Sequence, residues 1–135
     1  MSLTYYSANR NLDNNFGKTA FTVPATYYFG LSTTAISIDG TGATEPSTGA
    51  YARVAMTNDK TNWGTAATAT LTNSTAVTFA ESTASWGTIT YVFIADALTA
   101  GNIWWFDALT PSRAVQSATT VQFAVGAITV QMTNS

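Results

Sequence analysis

Chemistry in a polypeptide needs groups that exchange protons, hold metals or attack bonds. In this chain the supply is narrow: seven carboxylates, five lysines and arginines, no cysteine and no histidine. Without thiols or imidazoles there are no disulfides, no zinc sites of the usual kinds, no thiolate nucleophile and no imidazole base. The carboxylates form no spaced pair that suggests an acid and a base working across one bond. Asp96 and Asp107 flank a turn and could approach each other at one end of a sheet, although capping is the plainer role for each. Asp39-Gly40-Thr41-Gly42 has the look of a calcium loop but lacks the alternating oxygen ligands and the closing Glu. Asn73-Ser74-Thr75 matches a glycosylation acceptor, yet the amino-terminal Met-Ser-Leu-Thr-Tyr-Tyr has no signal-peptide character that would bring the chain to that machinery. Serine, threonine and aspartate nucleophiles have no evident base beside them. The expectation is a protein that is not an enzyme, with no catalytic residue, no cofactor and no metal.

Aromatic side chains offer the chemistry of contact instead. Trp86-Gly87 opens a strong strand, where a Trp over a glycine fills a sheet corner. In Trp104-Trp105-Phe106 the alternation of a strand puts Trp104 and Phe106 on one face and Trp105 on the other, with Ile103 and Asp107. If the Asp107 side faces outward, Trp105 is an exposed ring suited to a subunit contact or to a sugar; the alternative is a strand buried between the sheet and an amino-terminal arm. Tyr5, Tyr6, Arg10 and Phe16, around a cluster of asparagines, could reach a neighbouring subunit. With Trp105 they form the candidate subunit or capsid contact.

The elements that must position these residues are strands. The 135-residue chain has mass for one domain, is 46% hydrophobic and only 9% charged, against about 25% charged in an average soluble protein. Threonine makes up roughly a fifth of it, and Val, Ile, Tyr, Phe and Trp follow, the types that suit a pleated surface. No stretch offers three turns of apolar residues at helical spacing, and no run approaches a membrane span. Strands are expected at 26–33, 51–57, 66–73, 76–80, 87–95, 103–109, 113–116, 120–125 and 128–132, with a long irregular loop over 38–50. The strongest is 87–95, apolar on both faces toward its end and therefore central or interfacial. Thr99-Ala100-Gly101-Asn102 turns it into a hairpin with the strand that follows, and Pro111-Ser112 breaks that strand. The fold class is all-β: a single antiparallel β-sandwich of jelly-roll type with about eight strands. Residues 1–25 read as an extended amino-terminal arm or edge segment, and 26–135 as the sandwich.

Two stretches resemble a family of small bacteriophage virion proteins, tail-fibre-like or head-decoration-like. The first is Tyr28-Phe29-Gly30-Leu31-Ser32-Thr33-Thr34-Ala35 with the Asp39-Gly40-Thr41-Gly42 loop, Glu45 and Tyr51-Ala52-Arg53-Val54-Ala55. The second runs from Leu71-Thr72-Asn73 through Val77-Thr78-Phe79, Ala84-Ser85-Trp86-Gly87-Thr88-Ile89-Thr90, Ile94-Ala95-Asp96-Ala97, Gly101-Asn102 and Leu109-Thr110, and closes on Phe123-Ala124-Val125-Gly126-Ala127-Ile128-Thr129-Val130. The resemblance implies a β-sandwich that builds or coats the virion, with no catalytic residues to carry over.

Together these readings point to a structural virion protein made in the host cytoplasm, foremost a capsid decoration or cement subunit. It would adhere to the major capsid protein or other virion proteins and to sister copies in a homo-oligomer. A tail-fibre-associated component is the nearest variant. A carbohydrate-binding module that stacks host glycans on Trp105, Trp63 or a loop tyrosine is the competing class. Five scattered basic residues cannot build the positive stripe that nucleic acid requires, and no membrane partner is expected.

Overall fold

The computed structural model describes residues 1–132, so the last positions of the segment read as the sandwich, 133–135, lie outside it. In chain order the elements are β1 (Ser2–Leu3), α1 (Tyr5–Asn15), β2 (Thr26–Ser32), β3 (Val54–Thr57), β4 (Thr70–Thr72), β5 (Val77–Thr78), β6 (Gly87–Ala95), β7 (Ile103–Val115), β8 (Gln122–Phe123) and β9 (Thr129–Gln131). Five of the strands make one antiparallel sheet in the order β1-β7-β6-β2-β3. The unbroken β-branched and aromatic run of β6 takes the centre, as its two apolar faces require. Phe29 pairs with Ile94 and Gly30 with Phe93 across β2 and β6.

One face of this sheet carries the main core. Tyr27, Phe29 and Leu31 of β2 and Ile89, Val92 and Ile94 of β6 pack with Trp63, Val77, Phe79, Trp86 and Ile128. The covering layer is made of two ribbons, β4 with β9 and β5 with β8. The structure is thus mostly β and antiparallel, but its covering layer is two separate ribbons rather than the continuous second sheet of a jelly roll; the ribbon strands are shorter than expected, while β7 runs for 13 residues and joins two of the expected strands. Two buried polar residues account for the interruption. Asn73 donates through Nδ2 to the carbonyls of Thr75 and Ala124 and accepts from Ile128 N. Ser82 donates to the carbonyls of Gln116 and Thr119 and accepts from Thr119 N. Each side chain satisfies backbone groups that strand pairing would otherwise have to satisfy.

The segment read as an extended arm forms a strand only at β1, which pairs with Trp105 and Phe106 of β7; residues 5–15 are helical. Thr4 caps α1 by accepting from Ser7 N and anchors it by donating to the Ile103 carbonyl at 2.6 Å. Asparagine-rich sequence has modest helix propensity, so tertiary anchoring rather than periodicity makes this helix.

The second face of the sheet is held by a charge. The Arg53 side chain, only 6% exposed, meets Glu45 through two bonds, Nε to Oε1 at 2.9 Å and Nη2 to Oε2 at 2.8 Å. Its Nη1 donates to the carbonyls of Ala97 and Ala100. The guanidinium lies 5.1 Å from the centre of the Phe93 ring, and that ring in turn covers Gly30, where any Cβ would overlap it. Glu45 also accepts from the Tyr51 hydroxyl, whose oxygen accepts from Leu31 N. A loop, the edge of β2 and the turn between β6 and β7 are therefore tied at one point.

Outside the core, the turn joining residues 67 and 70 holds Thr68 and Ala69 at φ of 53° and 58°. This left-handed pair suits Asn-Gly far better than a β-branched residue. The double substitution T68N/A69G is expected to raise stability by about 1 kcal/mol, seen as a higher denaturant midpoint at unchanged slope. Arg53→Met, which leaves Glu45 and two carbonyls without their donor, should cost about 3 kcal/mol in the same measurement; adding E45Q should return part of that loss.

Candidate functional site

The register of β7 builds the site. Ile94 pairs with Trp105 but Ala95 pairs with Ile103, so Trp104 is an extra residue in a β-bulge. The expected alternation therefore fails here. Trp104 and Trp105 lie on the same face, their rings stacked at 6.3 Å and 21°, while Ile103 and Phe106 join Phe93 and Ile36 on the opposite face.

Other aromatic rings gather around this pair. Tyr6 of α1 meets Trp104 edge-on at 5.3 Å, Phe21 lies 5.8 Å away and Tyr27 5.9 Å away. Trp63 stacks on Phe29 at 6.1 Å. Between these groups is a cleft of about 400 Å³, floored by Tyr27, Trp63, Trp104 and Trp105 and rimmed by Asn11, Asn58, Asp59 and Lys60. Asn58 holds the rim to the segment before β2 by donating to the Pro24 carbonyl. Asp59 accepts from the backbone of Thr61 and Asn62, and Lys60 Nζ donates to the Gly64 carbonyl.

Asp96 sets the position of the bulge. It accepts from Asn102 N at 2.8 Å, from Asn102 Nδ2 and from Trp104 Nε1. Burial opposes its charge, but these hydrogen bonds outweigh burial and hold the carboxyl below the usual carboxylate range. Asp96 thus serves the turn, whereas Asp107 lies farther along β7 and is exposed. Asp39 folds its own loop by accepting from the amide and hydroxyl of Thr41.

The five candidate contact residues do not form one surface. Tyr5 and Phe16 are 56% and 77% exposed and stand with Leu12, 55% exposed, on the outer side of α1. Tyr6 turns inward, and the Arg10 guanidinium lies 4.2 Å over its ring. Trp105 is half-buried, between the two alternatives posed for it. The sequence reading missed Trp104 and Tyr27 as parts of the same wall, Leu12 as part of the outer stripe, and the clamp of Glu45, Tyr51 and Arg53. The helical spacing of 5, 12 and 16 was a usable signal for the stripe; nothing local announced the bulge.

Burial pushes the Tyr27 hydroxyl up to about 12, with a smaller contribution from the Asp96 charge. Burial also raises Tyr51, assisted by Glu45 and opposed by the bond from Leu31 and by Arg53. Because both folded-state values lie above the ordinary 10.0, the fold keeps its full stability below that pH and loses it as the pH climbs toward 12. An ultraviolet titration is expected to show two of the six tyrosines ionising late, together with loss of near-ultraviolet circular dichroism. Ionisation of all six with the fold intact near pH 11 would contradict this.

No curated protein matches the chain. A family model described as podophage GP4 fiber I protein gp80 matches residues 2–131, which spans the amino-terminal helix, the main sheet and both ribbons. The resemblance to small phage virion proteins read from the sequence is thereby upheld, and the chain belongs to the podophage GP4 fiber I protein gp80 family.

Proposed function

We propose that this protein is a structural subunit of a phage fibre, which associates with sister copies and other virion proteins by contact rather than by catalysis. The family match over residues 2–131 is the observation that carries this reading, and it favours a fibre over the capsid decoration ranked first from the sequence. Both roles use the same adhesive physics. The exposed stripe of Tyr5 and Leu12 on α1 and Phe16, which caps its end, is the surface best suited to it, since large apolar side chains lose unfavourable hydration when covered. With a formal net charge of only -2, copies brought together meet little repulsion. One such stripe buries too little area for a strong contact, and repetition along a fibre multiplies weak contacts into a firm one.

Antibody labelling of intact particles under the electron microscope is expected to decorate fibres. Uniform labelling of the shell would move the assignment to decoration, and absence of the protein from purified particles would overturn both. The variant L12D/F16D should fold normally by circular dichroism yet sediment as a smaller species than the unaltered chain.

A further inference from the structure

We infer that the cleft beside α1 is a binding site for a neutral pyranose sugar, with Trp105 as the stacking surface. This goes beyond a structural role and stands on the geometry of the cleft alone. Its volume of about 400 Å³ falls at the lower end of the range of small-ligand pockets and has room for roughly one or two sugar rings. Its walls combine two chemistries that a sugar needs together. The C–H face of a pyranose lies against an aromatic ring, and Trp105, held in place by Trp104 behind it, offers such a ring at the half-buried edge of the cleft. Hydroxyls need acceptors and donors at the rim. The amide nitrogens of Asn11 and Asn58 are committed to the carbonyls of Ser7 and Pro24, which turns their role toward the ligand into that of acceptors through Oδ1. Asp59 engages backbone amides through Oδ1 only, leaving Oδ2, and Lys60 has donors beyond the one given to Gly64.

A second observation points the same way. The buried indole N–H groups of Trp63 and Trp105 have no hydrogen-bond partner among the described residues, although a buried unpaired donor is costly and uncommon. Both residues line this one cleft, and although their nitrogens are sealed from it, a ring that turns on binding would gain a sugar hydroxyl as its acceptor. Trp86, elsewhere in the core, has its N–H paired with the Gly49 carbonyl. The opposite charges of Asp59 and Lys60 at the rim favour an uncharged ligand over an anionic one.

The full chain should be titrated with maltose, lactose, N,N′-diacetylchitobiose and methyl α-rhamnoside, following the four tryptophan indole N–H signals by nuclear magnetic resonance, and screened on a glycan array. At least one sugar is expected to shift the Trp105 and Trp63 signals saturably while that of Trp86 stays in place. In Trp105→Leu the affinity for that sugar should fall by about tenfold, and in Lys60→Ala, at an exposed rim position, by about threefold. If no probe or array glycan moves Trp105, or if the shifts fall on Trp86, the cleft is not a sugar site. The resonance measurement uses the unaltered chain, so it separates these outcomes even where the Trp105 variant is unstable.

Discussion

The Arg53 guanidinium, nearly sealed from water on the second face of the sheet, is the constraint on which the geometry of this molecule depends. A buried charge destabilises a fold unless its partners are complete, and here Glu45 and two turn carbonyls take four of its donor bonds. Meeting that demand fixes Ala97 and Ala100, and so the turn that starts β7. Asp96 then sets Asn102 and Trp104 from the same turn. The bulge that places two indoles side by side is downstream of the clamp, although it opens onto the opposite face of the sheet. A guanidinium suits this post better than an ammonium, because its planar fork meets a carboxylate through two parallel bonds while its flat face rests on Phe93.

The covering layer solves a different problem with different means. Its strands are short, and a short ribbon leaves many backbone groups without ladder partners. Asn73 and Ser82 supply those partners from within the core, at the cost of burying an amide and a hydroxyl that are themselves fully bonded. This explains how a chain so poor in ions still closes a core around irregular backbone. Uncharged polar side chains are less costly to bury than charged ones and can bond to backbone on either side.

What could be read from the sequence follows the range of the interactions involved. Strand 87–95 appears as expected, because a two-faced apolar run has one good place in a sheet. The hairpin from 87–95 into Ile103 also appears, since Thr99-Ala100-Gly101-Asn102 carries its own turn chemistry. Pro111-Ser112 does interrupt the ladder: Tyr91 pairs with Ala108 and Ile89 with Arg113, although the strand continues in one direction as β7. The helix itself was not legible, since Thr4 and Tyr6 act through partners about a hundred residues away. Neither was the shared face of Trp104 and Trp105, because a single unpaired residue reverses the alternation and its cause is Asp96 across the turn. The candidate contact residues are divided in space, Tyr5 and Phe16 turned outward and Tyr6 turned inward beneath the Arg10 guanidinium.

One end of the main sheet bears on how such a protein can exist in many copies. Strand β1 pairs only with Trp105 and Phe106, so among the described residues no strand covers the outer edge of β7 beyond Asp107. An open edge invites indefinite main-chain polymerisation. This one carries Pro111, which has no N–H to give, the charge of Arg113, and a register break between them and the hairpin. Strand addition is thereby blocked along this edge, and any order that crowded copies reach through it must come from side-chain fit, which can be reversed, counted and stopped.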